Sequence, residues 1–213
     1  MIKINRYKFD LDIKEKYQVT IISGSDEVGR GAMAGPIVVA SIILKEDYFN
    51  PLIKDSKLLN QKQREILYEE ILNNCVEYSI KVYDSKVVDK LNPKKTSVVG
   101  MIETISELKT KPQLCLVDGE KITIKDYQTL QLIKGDNLSQ SIAAASILAK
   151  VYRDNIMIEY DKQYQGYNFF KHKGYCTKEH IQKVKELGIL EIHRLTYKPI
   201  SAIKEKNNDF WQV

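Results

Sequence analysis

Two strand-like segments joined by a glycine-rich turn stand out in the hydrophobic pattern near the start of the chain. Residues 18–25 are rich in β-branched side chains, and residues 36–44 form a continuous apolar run that opens with a proline. A continuous apolar run of this length is typical of a strand buried on both faces. Because the turn between the two segments is rich in glycine, the pattern predicts a β-hairpin whose first strand ends at Asp26.

The rest of the chain alternates between helical and strand-like patterns. Residues 60–74 place apolar side chains on one helical face after Asn60, a good N-cap residue, whereas residues 76–83 alternate as a half-buried strand does. Strands interspersed with helices predict an α/β fold with a mixed central sheet flanked by helices. Further helices are predicted at 92–108, 137–160 and 177–187, and further strands at 114–117 and 130–133.

Chain length and the character of the tail predict the domain organisation. With 213 residues, of which 43% are hydrophobic, the chain has room for one sizeable domain or for one domain with a small appendage. The tail beyond residue 160 is basic and aromatic. We therefore expect residues 1–160 to form the main domain and residues 161–213 to form a small helical C-terminal lobe packed on the same unit.

Charge and cysteine usage narrow the cellular setting. The formal net charge of +5 mildly favours a polyanionic partner such as nucleic acid. The three cysteines are widely spaced and form no C-x-x-C motif, which fits a reducing cytosol and argues against a disulfide framework or a zinc site. The N-terminus has no signal-peptide core, and the longest uncharged stretch, Gly31 to Leu44, is too short to span a bilayer. We expect a soluble, cytoplasmic protein that does not associate with membranes.

Four carboxylates follow predicted strands and form the candidate catalytic group. Asp26 and Glu27 close the first strand, Asp118 closes a later strand, and Asp136 lies between a strand and the longest helix. Carboxylates at the ends of neighbouring strands can converge at one sheet edge. Two divalent ions held about 3.5–4 Å apart by such a group activate water and stabilise the leaving oxygen of a phosphoryl displacement.

Each carboxylate also has a purely structural interpretation. Adjacent residues of an extended strand point to opposite faces, so Asp26 and Glu27 would not ordinarily share a metal. Asp118 begins a good turn dipeptide, and Asp136 suits the positive end of a helix. What favours the catalytic interpretation is that three strand ends each supply an aspartate-bearing turn.

Cations, glycines and one aromatic residue form a candidate nucleic-acid interface. The glycines of the Gly29-Arg30-Gly31 turn let the backbone approach a polyanion, and the arginine between them suits phosphate. Tyr175 lies among cations beside a glycine, a setting that suits stacking on a base or sugar. His172, His180 and His193 show no metalloprotease spacing and are interpreted as structural or phosphate-contacting. The candidate phosphate-contacting cations are Lys57, Lys134, Lys150, Arg153, Lys171, Lys173 and Lys178.

Seven ordered motifs spanning roughly residues 18–199 resemble those of type 2 ribonucleases H, and of bacterial ribonuclease HII in particular. They are Asp26-Glu27-Val28-Gly29-Arg30-Gly31 with Gly35-Pro36; Asp55-Ser56-Lys57-Leu58; Val117-Asp118-Gly119; Lys134-Gly135-Asp136; Ser141 to Lys150 with Arg153-Asp154; Lys171 to His180; and His193-Arg194 through Pro199. The resemblance implies an RNase H-like fold in which residues 1–160 form the catalytic domain. It also implies Mg²⁺- or Mn²⁺-dependent, two-metal cleavage of RNA in RNA–DNA hybrids and on the 5′ side of single ribonucleotides in duplex DNA. The products would carry a 3′-hydroxyl and a 5′-phosphate, and the enzyme would act as a monomer.

The resemblance also assigns roles to individual residues. The backbone of Gly29-Arg30-Gly31 would contact the ribose 2′-hydroxyl, and Tyr175 would stack on the sugar of the adjoining deoxynucleotide. Lys57 and Lys134 would contact phosphates. The catalytic and metal-binding carboxylates would be Asp26, Glu27, Asp118 and Asp136.

Two departures from the family pattern and three alternatives remain open at this point. Glu120 stands where asparagine is usual after V-D-G and adds a carboxylate near the site, and Cys176 replaces the usual glycine after Tyr175. One alternative is ribonuclease HIII, whose extra N-terminal domain we do not expect here because the first motif begins at Asp26. The others are a nucleic-acid-binding module without catalysis, which the intact carboxylates argue against, and a metal-dependent DNase. The Gly29-Arg30-Gly31 and Tyr175 motifs argue against the DNase.

Overall fold

A five-stranded sheet forms the centre of the structure, a computed structural model that describes residues 5–53 and 59–209. The strands are β1 (Ile22–Val28), β2 (Ile37–Leu44), β3 (Cys75–Tyr83), β4 (Leu114–Asp118) and β5 (Gln128–Leu132). They lie in the order β3-β2-β1-β4-β5. β1 and β2 join antiparallel as the predicted hairpin, with Asp26 opposite Ala40. The predicted mixed sheet is confirmed.

Parallel pairing brings three strand ends to one edge of the sheet. β1 pairs parallel with β4, with Ser25 opposite Val117, and β4 pairs parallel with β5. The carboxyl ends of parallel strands meet at the same edge, where open α/β sheets commonly carry their sites. The predicted convergence of carboxylate-bearing turns therefore has a structural basis in the register of β1, β4 and β5.

Eight α-helices lie in the described residues. The Asn60 side chain accepts from the backbone N–H of Gln63, and the Gln63 side chain accepts from that of Asn60, so a capping box begins the second helix where the sequence predicted it. No described helix is long and apolar enough to cross a membrane. The helices are α1 (Arg6–Tyr17), α2 (Gln61–Asn73), α3 (Ser85–Leu91), α4 (Pro93–Ser106), α5 (Gln140–Gln163), α6 (Phe169–His172), α7 (Lys178–Leu187) and α8 (Lys198–Asp209).

The described chain divides into two compact units, each built from several segments. Unit 1 comprises residues up to Val28, Val38–Lys81 and Ser97–Val151, and unit 2 comprises Gly29–Ile37, Val82–Thr96 and the chain from Tyr152 onward. The division predicted after residue 160 stays a prediction. Core residues of unit 1 include Ile13, Ile22, Leu114, Leu116 and Ile142, and those of unit 2 include Met33, Met157, Tyr167, Phe169 and Val184.

A glycine fixes how closely the long helix approaches the sheet in unit 1. A Cβ atom on Gly24 would lie 2.1 Å from the carbonyl carbon of Ser141, at the start of α5. No real side chain tolerates that distance, so only glycine permits this contact between β1 and α5. The contact sets the start of α5 directly against the strand that carries Asp26.

Candidate active site

The predicted site residues divide between the two units. The four carboxylates and Lys134 belong to unit 1, whereas the Gly29-Arg30-Gly31 turn and Tyr175 belong to unit 2. Lys57 lies outside the described residues. Each group has its own geometry and its own electrostatic character.

Asp26 and Glu27 lie inside β1, which continues to Val28, two residues past the predicted end. Asp26 is buried and Glu27 is half-buried, as expected for neighbours on opposite faces of a strand. The backbone N–H of Glu27 donates to Oδ1 of Asp26 at 2.7 Å. Since Ser25 pairs with Val117, the next residue along each parallel strand brings Asp26 beside Asp118.

The surroundings of Asp26 oppose its ionisation. Its side chain is only 5% exposed, and burial raises its pKa well above the usual value. The negative charges of Glu27 and Asp118 raise the pKa further, while hydrogen bonds from the Ser146 hydroxyl and the Glu27 backbone partly lower it. Like charges near a buried carboxylate destabilise its charged form. Asp26, Glu27 and Asp118 therefore form a negative cluster whose repulsion a bound cation would relieve.

Asp118 is tied to the loop that carries Asp136. Oδ1 of Asp118 accepts from the backbone N–H of Gly135 at 2.5 Å. A Cβ atom on Gly135 would lie 2.5 Å from Cδ1 of Ile142, so the loop sits tightly against α5. Gly135 begins a single turn of 3₁₀ helix that ends at Asn137. The chain thus reaches Asp136 one residue after its contact with Asp118.

Asp136 is held through its own loop and through the N-terminal helix. Its side chain is 4% exposed, and its Oδ1 accepts from Nδ2 of Asn137 at 3.0 Å. Nε of Arg6, in α1, donates to the backbone carbonyl of Asp136 at 3.0 Å. Arg6 also reaches Oδ1 of Asn137 at 3.4 Å. Arg6 was not predicted as a site residue, because a lone arginine in a highly charged N-terminal segment carries no signal of this contact.

The four predicted carboxylates supply oxygen ligands that suit a hard divalent cation, although they are not grouped as a complete coordination site. Within residues 5–53 and 59–209, no three His, Cys, Asp or Glu side chains are grouped closely enough to hold a metal ion. Carboxylate oxygens are nonetheless the ligands that Mg²⁺ and similar ions prefer. Burial and the neighbouring charges of Glu27 and Asp118 raise the pKa of Asp26, and a bound cation would oppose both effects. Metal binding by Asp26, Glu27, Asp118 and Asp136 stays a prediction that this chemistry supports.

The Gly29-Arg30-Gly31 turn of unit 2 has a backbone that only glycine allows at its first position. Gly29 has φ +104°, and a Cβ atom there would lie 2.4 Å from Nε of Arg153. The backbone N–H of Ala32 donates to the Gly29 carbonyl at 3.2 Å. The Arg30 carbonyl accepts from Nη1 of Arg194 at 3.0 Å and from the Tyr197 hydroxyl. The turn is therefore fixed in shape, while Gly31 remains exposed.

Tyr175 lies beside this turn within unit 2, although the two are far apart in sequence. Ala32 and Tyr175 form an isolated antiparallel bridge, and the backbone N–H of Met33 donates to the Gly174 carbonyl at 2.9 Å. The guanidinium of Arg153 lies 5.3 Å from the centre of the Tyr175 ring. The structure thus brings together the two segments that the sequence assigned to the nucleic-acid interface, and the Tyr175 ring is half-buried.

Arg153 is not a phosphate contact, which corrects one of the predicted cations. Its side chain is fully buried and donates to the carbonyls of Pro36 at 2.8 Å, Lys173 at 2.9 Å and Ala34 at 3.1 Å. A guanidinium that holds three carbonyls in the interior is not available to a substrate. Lys134 remains a candidate, because it is exposed and has a left-handed backbone just before the Asp136 loop.

Comparison with known proteins identifies the relatives of this chain. A model of the Ribonuclease HII family matches residues 23–200. Ribonuclease HII of Mycoplasma mycoides subsp. mycoides SC is 54% identical over 206 residues, which cover 96% of this chain and 100% of that protein. Ribonuclease H2 from Pyrococcus horikoshii OT3 superposes with a TM-score of 0.73 at 24% identity, covering 88% of this chain and 99% of that one. Bst-RNase HIII, solved in complex with Mn²⁺, superposes with a TM-score of 0.66 at 18% identity, covering 90% and 71% respectively.

Proposed function

The chain belongs to the ribonuclease HII family, and from that premise we propose that it cuts duplex DNA on the 5′ side of a single embedded ribonucleotide. Membership in the family makes the chain a ribonuclease H endonuclease that acts on nucleic acid. The resemblance inferred from the seven motifs is thereby confirmed. The observation that carries the finer proposal is the crowding of Asp26 by Glu27 and Asp118 at the carboxyl ends of β1 and β4.

The carboxylates of unit 1 would hold Mg²⁺ or Mn²⁺. Support comes from their all-oxygen donor chemistry, from the burial and the repulsion that raise the pKa of Asp26, and from the related Bst-RNase HIII, which was solved in complex with Mn²⁺. Bound divalent ions supply a low-pKa water and stabilise charge on the departing oxygen. Hydrogen bonds from Ser146 and from the Glu27 backbone favour the ionised, ligating form of Asp26. The contact with Gly135 fixes one oxygen of Asp118.

The Gly29-Arg30-Gly31 turn and Tyr175 would select the ribonucleotide. Backbone groups of a turn with fixed shape can hydrogen-bond a 2′-hydroxyl, which is the group that distinguishes RNA from DNA. An aromatic ring can stack on the neighbouring nucleotide without regard to its base. Exposed Lys134 would contact a phosphate, as would Lys57. The fixed carbonyl of Arg30 and the bridge between Ala32 and Tyr175 support this assignment.

The deciding experiment compares three labelled substrates with Mg²⁺ and with Mn²⁺. These are a DNA duplex with one ribonucleotide, an RNA–DNA hybrid and an all-DNA duplex. We expect cleavage of the first two, with a ligatable 5′-phosphate on the ribonucleotide and an extendable 3′-hydroxyl on the upstream DNA. Equal cutting of the all-DNA duplex would overturn the proposal.

A further inference from the structure

Three buried histidines form a hydrogen-bonded cluster inside unit 2. His172, His180 and His193 are 7%, 0% and 1% exposed. The rings of His172 and His180 stack with centroids 4.1 Å apart, and the Nε2 atoms of His180 and His193 are 3.1 Å apart. Residues this deeply buried cannot contact phosphate, so only the structural half of the sequence interpretation survives.

The hydrogen bonds assign one tautomer to each ring of the pair His180 and His193. Burial lowers the pKa of His180 to about 3 and that of His193 to about 4, so both rings are neutral at neutral pH. Nδ1 of His193 accepts from the backbone N–H of Leu190 at 2.9 Å, which places the His193 proton on Nε2. That proton points to Nε2 of His180, which must accept it. The proton of His180 is therefore on Nδ1 and is donated to the Tyr175 carbonyl at 3.0 Å.

The third histidine, His172, contacts the backbone of Gly174 and Tyr175. Nδ1 of His172 accepts from the backbone N–H of Gly174 at 3.2 Å, so its Nε2 donates to the Tyr167 carbonyl at 2.8 Å. The backbone N–H of Tyr175 donates to the carbonyl of His172 at 2.9 Å. Both backbone polar groups of Tyr175 are thus held by this cluster. A backbone held at both groups fixes the direction of the Cα–Cβ bond from which the Tyr175 ring extends.

We propose that His180 is a positioning residue for Tyr175, with a hydrogen-bond relay from Leu190 through His193 and His180 fixing the tyrosine against the bound substrate. The inference rests on the proposed function only for what Tyr175 does. The relay does not resemble a metal site, because Nδ1 of His193 and both ring nitrogens of His180 are already engaged. The His180 ring could instead act only by filling space. The test must therefore separate its hydrogen bond to the Tyr175 carbonyl from the volume of its ring.

Two substitutions at His180 make that separation. The amide nitrogen of asparagine can take the place of Nδ1, so His180→Asn keeps a donor for the Tyr175 carbonyl and loses the contact with His193. The longer glutamine reaches the place of Nε2, so His180→Gln keeps the contact with His193. It removes the side-chain donor to the Tyr175 carbonyl, which keeps only the backbone N–H of Thr177 at 2.9 Å. We expect His180→Gln to lower kcat/KM for the single-ribonucleotide duplex, relative to a long hybrid, by about fivefold, the effect of one lost hydrogen bond. His180→Asn should restore most of that ratio.

A double-mutant comparison identifies the route of the effect. In a Tyr175→Ala background, His180→Gln should change the ratio no further, because the ring that it positions is gone. If His180→Gln, with Tyr175 present, left the ratio of kcat/KM for the single-ribonucleotide duplex to that for the long hybrid unchanged, the inference would be overturned. Equal losses in both His180 variants would also overturn it, as would an additive loss in the Tyr175→Ala background. Melting temperatures of all variants show whether a loss reflects unfolding.

A measurement without substrate keeps the inference testable if the variants do not fold. Nitrogen chemical shifts of the wild-type histidines should show a proton on Nδ1 of His180 and on Nε2 of His172 and His193 at pH 7. A His180 proton on Nε2, or a charged ring, would overturn the relay. If the wild-type protein failed to cut at a ribonucleotide, the proposed function would fall. The tautomers would still decide whether His180 holds Tyr175.

Discussion

The two units treat buried charge in opposite ways. In unit 1, Asp26 is buried beside Glu27 and Asp118, and burial together with these like charges raises its pKa. In unit 2, Arg153 and Arg194 are fully buried, yet each donates to several carbonyl oxygens. Burying a carboxylate beside like charges costs stability, whereas buried guanidinium groups that donate to carbonyls hold the backbone in place. Unit 1 thus concentrates negative charge where the proposed cation would bind, and unit 2 holds a fixed shape.

Removing the charge of Asp26 should cause the largest loss of activity and, at the same time, a gain in stability. Asp26→Asn removes one negative oxygen donor and its repulsion from Glu27 and Asp118. We expect cleavage to fall by about 10³-fold or more, since loss of a metal-ligating charge costs several kcal/mol in the transition state. We expect the melting temperature measured without metal to rise. Substrate binding, followed by fluorescence anisotropy, should be largely retained.

A normal cleavage rate for Asp26→Asn would remove Asp26 from the site. A lower melting temperature would show that its charge is already compensated, which would break the contrast between the units. Asp126→Asn provides the control, because it removes an exposed carboxylate outside the cluster. Neither rate nor melting temperature should change much in that variant.

Removing a buried cation from unit 2 should show the reverse pattern in stability. Burial lowers the pKa of Arg153 to about 10, so the side chain stays charged at neutral pH. Arg153→Met would leave the carbonyls of Ala34, Pro36 and Lys173 without this donor. We expect a loss of about 3 kcal/mol in the free energy of unfolding, measured in urea, because buried polar groups would lose their partner.

A conservative change at the same position sharpens this result. Arg153→Lys keeps the charge but offers one nitrogen where the guanidinium offers three. An intermediate loss of stability is expected. Equal stability of Arg153→Met and wild type would show that the three carbonyl contacts contribute little, and the shape-holding role assigned to unit 2 would fail.

The units should also respond to pH with opposite signs. Burial raises the pKa of Asp10, in unit 1, from 3.8 to about 6. Its folded form binds the proton more tightly, so its contribution is fully present below pH 3.8 and is lost as pH rises through 6. Burial lowers the pKa of His193, in unit 2, from 6.5 to about 4. The contribution of His193 is fully present above pH 6.5 and is lost as pH falls through 4.

Urea unfolding at several pH values between 4 and 7 checks these signs. Relative to wild type, Asp10→Asn should become more stable as pH rises, by about 2 kcal/mol over the range. His193→Gln should become relatively more stable as pH falls, by a similar amount. Parallel curves for wild type and a variant would mean that the substituted group does not titrate in this range. That outcome would contradict the opposite pH dependence expected for the two units.

The sequence predicted elements whose local signals agree with their packing, and it missed those that tertiary contacts define. The capped helix after Asn60 and the apolar strand β2 form close to the predicted positions. α1 escaped prediction because its apolar residues fall at 7, 9, 11 and 13, a strand period, and Ile13 is the only one of these four apolar side chains that is buried. Its contacts with the rest of unit 1, such as that between Asp10 and Ser141, join residues 131 positions apart.

The candidate site shows the same limit at the level of single residues. The motifs predicted Asp26, Asp118 and Tyr175 as site residues, because their residue types and spacing indicate the chemistry they could perform. The motifs do not reveal that Arg153 points inward or that His172, His180 and His193 meet. Burial and tautomers depend on how distant segments approach, and residue type alone does not specify that approach. Sequence therefore predicts which groups form the site, and the structure shows which described residues hold others in place.

The smallest predicted effect concerns Arg6, in α1, which makes two described hydrogen bonds to the Asp136 loop. It donates to the Asp136 carbonyl and to Oδ1 of Asn137, so it contributes to the position of a carboxylate of unit 1. We expect Arg6→Ala to reduce the cleavage rate by about fivefold, the effect of about 1 kcal/mol of lost hydrogen bonding, with little change in substrate affinity. Lys8→Ala, on the same helix, removes only an exposed ion pair with Asp12 and should leave the rate unchanged. Equal rates for Arg6→Ala and Lys8→Ala would show that the position of Asp136 does not depend on the contact with Arg6.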